Sequence, residues 1–192
     1  LKIHQGIEIH HDGDLPARTG LGSSSSFTVG LLNALYALKG IMSTKERLAQ
    51  EAIYIEQEMC KENVGCQDQM LASYGGFNFI EFGGHQHLRV RKITIPQETL
   101  KDLQSHLMLF FTGFSRTASQ IAAHQIQNIP KKQRELKEMY QMTLQALDIL
   151  SSNKLSEFGK LLDKSWRLKR QLSDKITTPH IDDIYDTARS AG

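Results

Sequence analysis

The stretch Pro16-Ala-Arg-Thr-Gly-Leu-Gly-Ser-Ser-Ser-Ser26 constrains this chain more than any other. Two glycines, Gly20 and Gly22, run into four serines and then into Phe27, Val29, Leu31, Leu32, Leu35 and Leu38. That spacing predicts a helix from about residue 24 to about residue 39. Glycine lets the main chain come close to a charged group, and serine hydroxyls can cap a helix start. A helix N-terminus offers unpaired N–H groups and the positive end of the macrodipole, which suits a polyphosphate. Gly20, Leu21, Gly22, Ser23, Ser24 and Ser25 are therefore candidate phosphate-binding residues. No lysine follows the glycines, so this is not the G-x-x-x-x-G-K-[ST] loop. The alternative is a Gly/Ser loop that only caps a helix.

The remaining pattern is mixed. Alternating Leu1, Ile3, Ile7 and Ile9 predict a strand over 1–10. Ser43-Thr-Lys-Glu46 reads as a capping box, opening a helix with Leu48, Ala52, Ile55 and Met59 on one face and Glu58 beside them. A short helix after Asp68 stops at Gly75-Gly76. Strands are expected over 77–82 and 88–95, with His85 and His87 at a polar hairpin tip, and a buried strand over Leu107–Phe111. Helices follow near 116–127, 132–151 and 154–173, with another after Pro179. Strands and helices in separate runs make the fold class α+β, with a break near Pro96.

The charges nearly balance, with 23 Lys and Arg against 21 Asp and Glu, and they are interspersed. No nucleic-acid surface is indicated. No apolar run approaches the ~20 residues of a membrane helix, so no membrane partner is expected. Cys60 and Cys66 lack zinc spacing, which points to reduced thiols and a cytoplasmic location.

A second stretch carries Glu56-x-Glu58 and then Gly65-x-x-Asp68-Gln69. With P-x-x-x-G-L-G-S-S at Pro16–Ser24, this order of motifs resembles the GHMP small-molecule kinases, the superfamily of galactokinase, homoserine kinase and mevalonate kinase. The run QDQMLASYGGFNFIEF, Gln67–Phe82, is most similar to the sugar-1-phosphate and heptose-phosphate kinases of that group. The resemblance covers nearly the whole chain and weakens after Arg116. It implies a GHMP-kinase-like fold: a nucleotide-binding N-terminal domain over 1–96, then a helix-rich part of a ferredoxin-like C-terminal domain over 97–192. It also implies ATP and Mg²⁺ as cofactors, and phosphorylation of a sugar phosphate, a heptose phosphate at its anomeric hydroxyl.

Phosphoryl transfer asks the protein to hold phosphates, to seat Mg²⁺ and to orient an acceptor hydroxyl. The resemblance assigns the metal to Ser24 and Glu58, the catalytic role to Asp68, and substrate contacts to Asp68 and Gly76. One hydroxyl and one carboxylate suit an ion that keeps several waters. Glu51, Glu56 and Glu62 are competitors; Glu58 precedes Asp68 by ten positions, the galactokinase-like spacing, which favours it over Glu56. Asp68 could instead be a helix N-cap. Arg116, in Thr112-Gly-Phe-Ser-Arg-Thr117 before a helix, is a candidate anchor for the phosphate already on the sugar, or merely a surface residue. Kinases of other small alcohols, and a non-catalytic sugar or nucleotide sensor, remain alternatives, with the pair Asp68 and Glu58 favouring an enzyme. The family's first motif and its glycine-rich third motif are not found between Leu1 and Gly192. The chain is thus expected to be an internal piece of a longer kinase, inactive alone; the oligomeric state is left open.

Overall fold

The computed structural model describes residues 3–14, 20–83, 87–112 and 118–191. Two compact units emerge, the first made mainly of Leu1–Ile93 and the second of Thr94–Gly113 and Gln120–Gly192. The break falls just ahead of Pro96.

In the first unit, helix α1 spans Ser23–Leu38. Helix α2 spans Lys45–Tyr54 and continues into one π turn, Ile55–Met59. Helix α3 spans Gln67–Tyr74. Val29, Leu32 and Tyr36 recur along one face of α1 and pack with Leu48, Ala52 and Ile55 of the α2 segment. Met70 on α3 is fully buried. Polar ties reinforce this triangle. The Tyr36 hydroxyl donates to Glu51 at 2.6 Å, and Arg47 pairs with Glu51 at 2.9 Å while lying over the Tyr36 ring. Burial pushes the Glu51 carboxyl up, but these two donors together outweigh it and hold it below its ordinary value. Lys45 Nζ donates to the Tyr74 carbonyl at 2.7 Å, joining the start of α2 to the end of α3.

The cap of α2 differs from the expected box. Thr44, not Ser43, is the N-cap, and its hydroxyl accepts from the Arg47 N–H at 3.1 Å. This places Arg47, not Glu46, at the third helical position, so the reciprocal carboxylate contact cannot form. After α3 the chain turns at Gly75 into a hairpin, β1 Asn78–Gly83 and β2 His87–Lys92, paired antiparallel from Asn78↔Lys92 to Gly83↔His87.

The second unit is helical: α4 Gln97–Ser105, α5 Ala118–Asn128, α6 Gln133–Ser151, α7 Leu155–Arg170 and α8 Pro179–Ala191. Helices α6 and α7 pack together, with Met142 and Leu150 of α6 buried. On α7, Asp163 accepts from Tyr185 of α8 and pairs with Arg167 at 3.2 Å. Among the described residues, no helix is long and apolar enough to cross a membrane.

Two expected strands are not formed. Residues 3–10 lie in no strand, with Ile7 and Ile9 exposed. Leu107–Phe111 is likewise irregular and exposed throughout. Alternation or an apolar run makes a strand only where a neighbouring strand completes its hydrogen bonds, and the hairpin is the only sheet among the described residues. Helix α4 was not anticipated. Its signals were Pro96 as a start, Glu98 in the first turn and Leu100 with Leu103 on one side.

Candidate functional site

The start of α1 leaves its first N–H groups outside the helical ladder. Gly22, the N-cap, sits in the left-handed region at φ 71°, and Gly20 at φ 77°. The first helical bond runs from the Ser26 N–H to the Gly22 carbonyl at 2.9 Å. The N–H groups of Ser23, Ser24 and Ser25 therefore precede the ladder. Among the described residues no side chain caps them, and no acidic residue sits in the first turn. Beside this cradle, along α1, opens a cavity of about 540 Å³ lined by Leu21, Phe27 and Leu31 and, from the preceding segment, His11. The His11 and Phe27 rings meet edge to face at 4.7 Å.

Beneath the cradle lies a buried polar cluster. Glu56, only 5% exposed, accepts from Ser24 Oγ at 2.8 Å through Oε1. Its Oε2 accepts from Ser25 Oγ at 2.7 Å and from Gln69 Nε2. A buried carboxylate is tolerated where donors replace its water, and three do so here. Asp68, half-buried in the first turn of α3, completes the group. A Cβ built at Gly22 would lie 3.3 Å from the Cβ, Cγ and Oδ2 of Asp68. The absent side chain is what lets the cradle touch this aspartate.

The structure thus brings together Gly22, Ser24, Ser25 and Asp68 of the expected site, and sorts the glutamates differently. The resemblance placed Glu58 with Ser24; the hydroxyl of Ser24 instead meets Glu56. The Glu58 side chain is 59% exposed and pairs with Lys61 at 3.2 Å. Residues two apart on a helix face opposite sides, so with Glu56 turned in, Glu58 turns out; the segment ends in the π turn closed by the Cys60 N–H to the Ile55 carbonyl at 2.8 Å. Its extra residue turns the end of the segment outward, so that Met59 is 66% exposed rather than in the apolar stripe. Ser25 turns its hydroxyl inward to Glu56, leaving its N–H for the cradle. Gly76 lies exposed at the bend before β1. Arg116 lies outside the described residues.

Sequence reasoning missed Glu56 as a cluster member and Gln69 altogether. A signal existed for Glu56: it stands four residues after Ala52 and eight after Leu48, an acid in line with the apolar stripe. Gln69 followed the aspartate in the motif but drew no role.

The arrangement is an open helix start over a buried carboxylate, with an aspartate against the N-cap glycine. Comparison with known proteins gives the class. Residues 1–76 match the family model described as GHMP kinases N terminal domain, and the chain has a GHMP-kinase-like α+β fold. The chain is 29% identical to the D-glycero-alpha-D-manno-heptose 7-phosphate kinase of Campylobacter jejuni, over 97% of this chain and 56% of that relative. Among solved structures it is similar to a putative sugar kinase from Campylobacter jejuni, with TM-score 0.68 and 29% identity over 93% of this chain and 51% of that one. It is also similar to a D-glycero-D-manno-heptose 1-phosphate kinase from Bacteriodes thetaiotaomicron, with TM-score 0.67 and 25% identity over 82% and 46% of the two chains. The chain spans about half the length of these relatives.

Proposed function

We propose that the protein carrying this chain is an ATP-dependent kinase that phosphorylates a hydroxyl of a sugar phosphate, a heptose phosphate first among the candidates. The reading rests above all on one observation: the start of α1 meets both a buried, triply bonded glutamate and an aspartate within a single small site. The similarity to sugar-phosphate kinases supports the substrate class.

In this reading the N–H groups of Ser23, Ser24 and Ser25 hold the nucleotide phosphates, and the cavity beside Leu21 and Phe27 receives the nucleoside. The residues present fit Mg²⁺. Ser24 Oγ and Glu56 Oε1 lie 2.8 Å apart, close to the ~2.9 Å edge of an octahedron with metal–oxygen distances of about 2.0–2.1 Å. Among the described residues Oε1 has one donor, which leaves it an open lone pair. Ser24 and Glu56 would hold the ion, which when bound neutralises charge on the transferring phosphoryl group.

Asp68 faces the acceptor. The sugar hydroxyl oxygen bonds to the γ-phosphorus as the bridging bond to the β-phosphate breaks, and ADP departs with that electron pair. Asp68 orients the hydroxyl and accepts its proton. The cradle N–H groups, fixed before reaction, stabilise the charge on the phosphoryl oxygens without reorganising.

A coupled ADP-release assay of the full-length protein tests this against heptose 7-phosphate, heptose 1-phosphate, galactose, fucose and mevalonate. Turnover is expected to be fastest with a heptose phosphate. Faster turnover of an unphosphorylated sugar or of mevalonate would overturn the substrate class, and nucleotide binding without turnover of any alcohol would overturn the kinase reading.

A further inference from the structure

Gln69 is fully buried, yet it is among the costlier residues to place in a core. A primary amide carries two donors and one acceptor, and each group left unbonded away from water is unfavourable. The Gln69 Oε1 has no hydrogen-bond partner among the described residues. The hydrogen bond that its side chain makes runs from Nε2 to Glu56 Oε2.

The consequence is geometric. A carboxylate has about four lone-pair positions, two on each oxygen. Ser25 and Gln69 together fill both on Oε2, while Ser24 fills one on Oε1. Among the described residues, the one position without a donor is on Oε1. Without Gln69, an equivalent position opens on Oε2, and only the two hydroxyls of Ser24 and Ser25, on flexible side chains, hold the carboxylate. Gln69 also directly follows Asp68 on the first turn of α3. The helix start that sets the aspartate against Gly22 thus also fixes the glutamate.

We propose that Gln69 is a positioning residue for Glu56: its buried amide locks the carboxylate so that Oε1, beside Ser24, is the oxygen offered to the divalent cation. This rests on the reading of Glu56 as the metal-holding carboxylate. It deepens that reading by naming what orients the carboxylate.

The test is Mn²⁺ binding to the full-length protein with a non-hydrolysable ATP analogue, followed by the EPR signal of free Mn²⁺. Gln69→Met, which keeps the bulk but removes the donor, is expected to weaken Mn²⁺ binding by about 10–100-fold, the range for groups that orient a metal ligand. Gln69→Asn, which withdraws the amide by one methylene, is expected to act in the same direction and serves if the methionine variant does not fold. In a Glu56→Gln background neither change should weaken binding further, because the pair acts as one unit. Met70→Ala separates packing from positioning: it should lower Tm and leave Mn²⁺ affinity in place. A folded Gln69 variant with unchanged Mn²⁺ affinity, alongside a Glu56→Gln protein that binds poorly, overturns the proposal alone. Unchanged affinity in Glu56→Gln itself overturns the reading of Glu56, and this proposal falls with it.

Discussion

The contact between Gly22 and Asp68 supplies a controlled experiment. Gly20 and Gly22 both hold left-handed backbone, at φ 77° and φ 71°. An alanine in that region costs about 1–2 kcal/mol, partly offset by roughly 0.4–1 kcal/mol of lost unfolded-chain freedom, so each backbone change costs roughly 1 kcal/mol net. Only Gly22 adds a steric consequence. Its new Cβ would stand 3.3 Å from three atoms of Asp68, whereas a Cβ at Gly20 meets nothing within 4 Å among the described residues. Contacts of this kind prefer about 3.5–4.0 Å, so Asp68 must yield by a few tenths of an ångström, adding about 1 kcal/mol at the lower end of overpacking costs. Gly22→Ala should therefore destabilise by about 2 kcal/mol and Gly20→Ala by about 1 kcal/mol in urea unfolding of the full-length protein. The kinetic contrast should be larger. Small misplacements of a reacting group cost up to about 100-fold, so kcat should fall 10–100-fold for Gly22→Ala and only slightly for Gly20→Ala. Equal kcat in the two variants would refute the idea that Gly22 is bare in order to admit Asp68.

Asp68→Asn should lower kcat by about 100-fold or more with nucleotide affinity nearly intact, read by steady-state kinetics and nucleotide titration. Arg116→Ala is expected to raise KM for a phosphorylated sugar far more than KM for ATP, through loss of a charge-assisted contact of about 1.5–3 kcal/mol. Glu51, held below its ordinary value despite burial, is a depressed carboxyl whose stabilisation is present above the unfolded value and lost as pH falls through the folded one. The Tm difference between the parent and Glu51→Gln should be full at neutral pH and close below about pH 4, near the ordinary carboxylate range; a difference independent of pH would argue against the Tyr36 and Arg47 bonds as its source.

Much of the local structure was legible because it depends on neighbours in sequence. The serines and the spaced leucines mark α1, and Gly75 ends α3. What was not legible depends on partners far along the chain. Alternation at Ile7 and Ile9 and the run Leu107–Phe111 describe strands only when other strands lie beside them, and the pattern carries no information about those partners. The glutamates show the same limit at the site. Counting ten positions back from Asp68 selects Glu58, but a spacing along the chain does not say which side of the helix a residue faces, and residues two apart face opposite sides. Reading the apolar face through Leu48 and Ala52 would have selected Glu56, because an acid in line with a buried stripe needs donors, and Ser24, Ser25 and Gln69 provide them.

The choice between those two glutamates is the most direct test of the site. Glu56→Gln and Glu58→Gln, made separately in the full-length protein, remove one negative charge each with little change in shape. Steady-state kinetics across a Mg²⁺ titration should show Glu56→Gln losing turnover by roughly 100-fold or more, with a higher Mg²⁺ requirement, beyond the effect of groups that only orient a ligand. Glu58→Gln, which breaks only an exposed pair with Lys61, should stay within about twofold of the parent. A large loss in Glu58→Gln with Glu56→Gln near normal would contradict the site built around Ser24, Glu56 and Asp68.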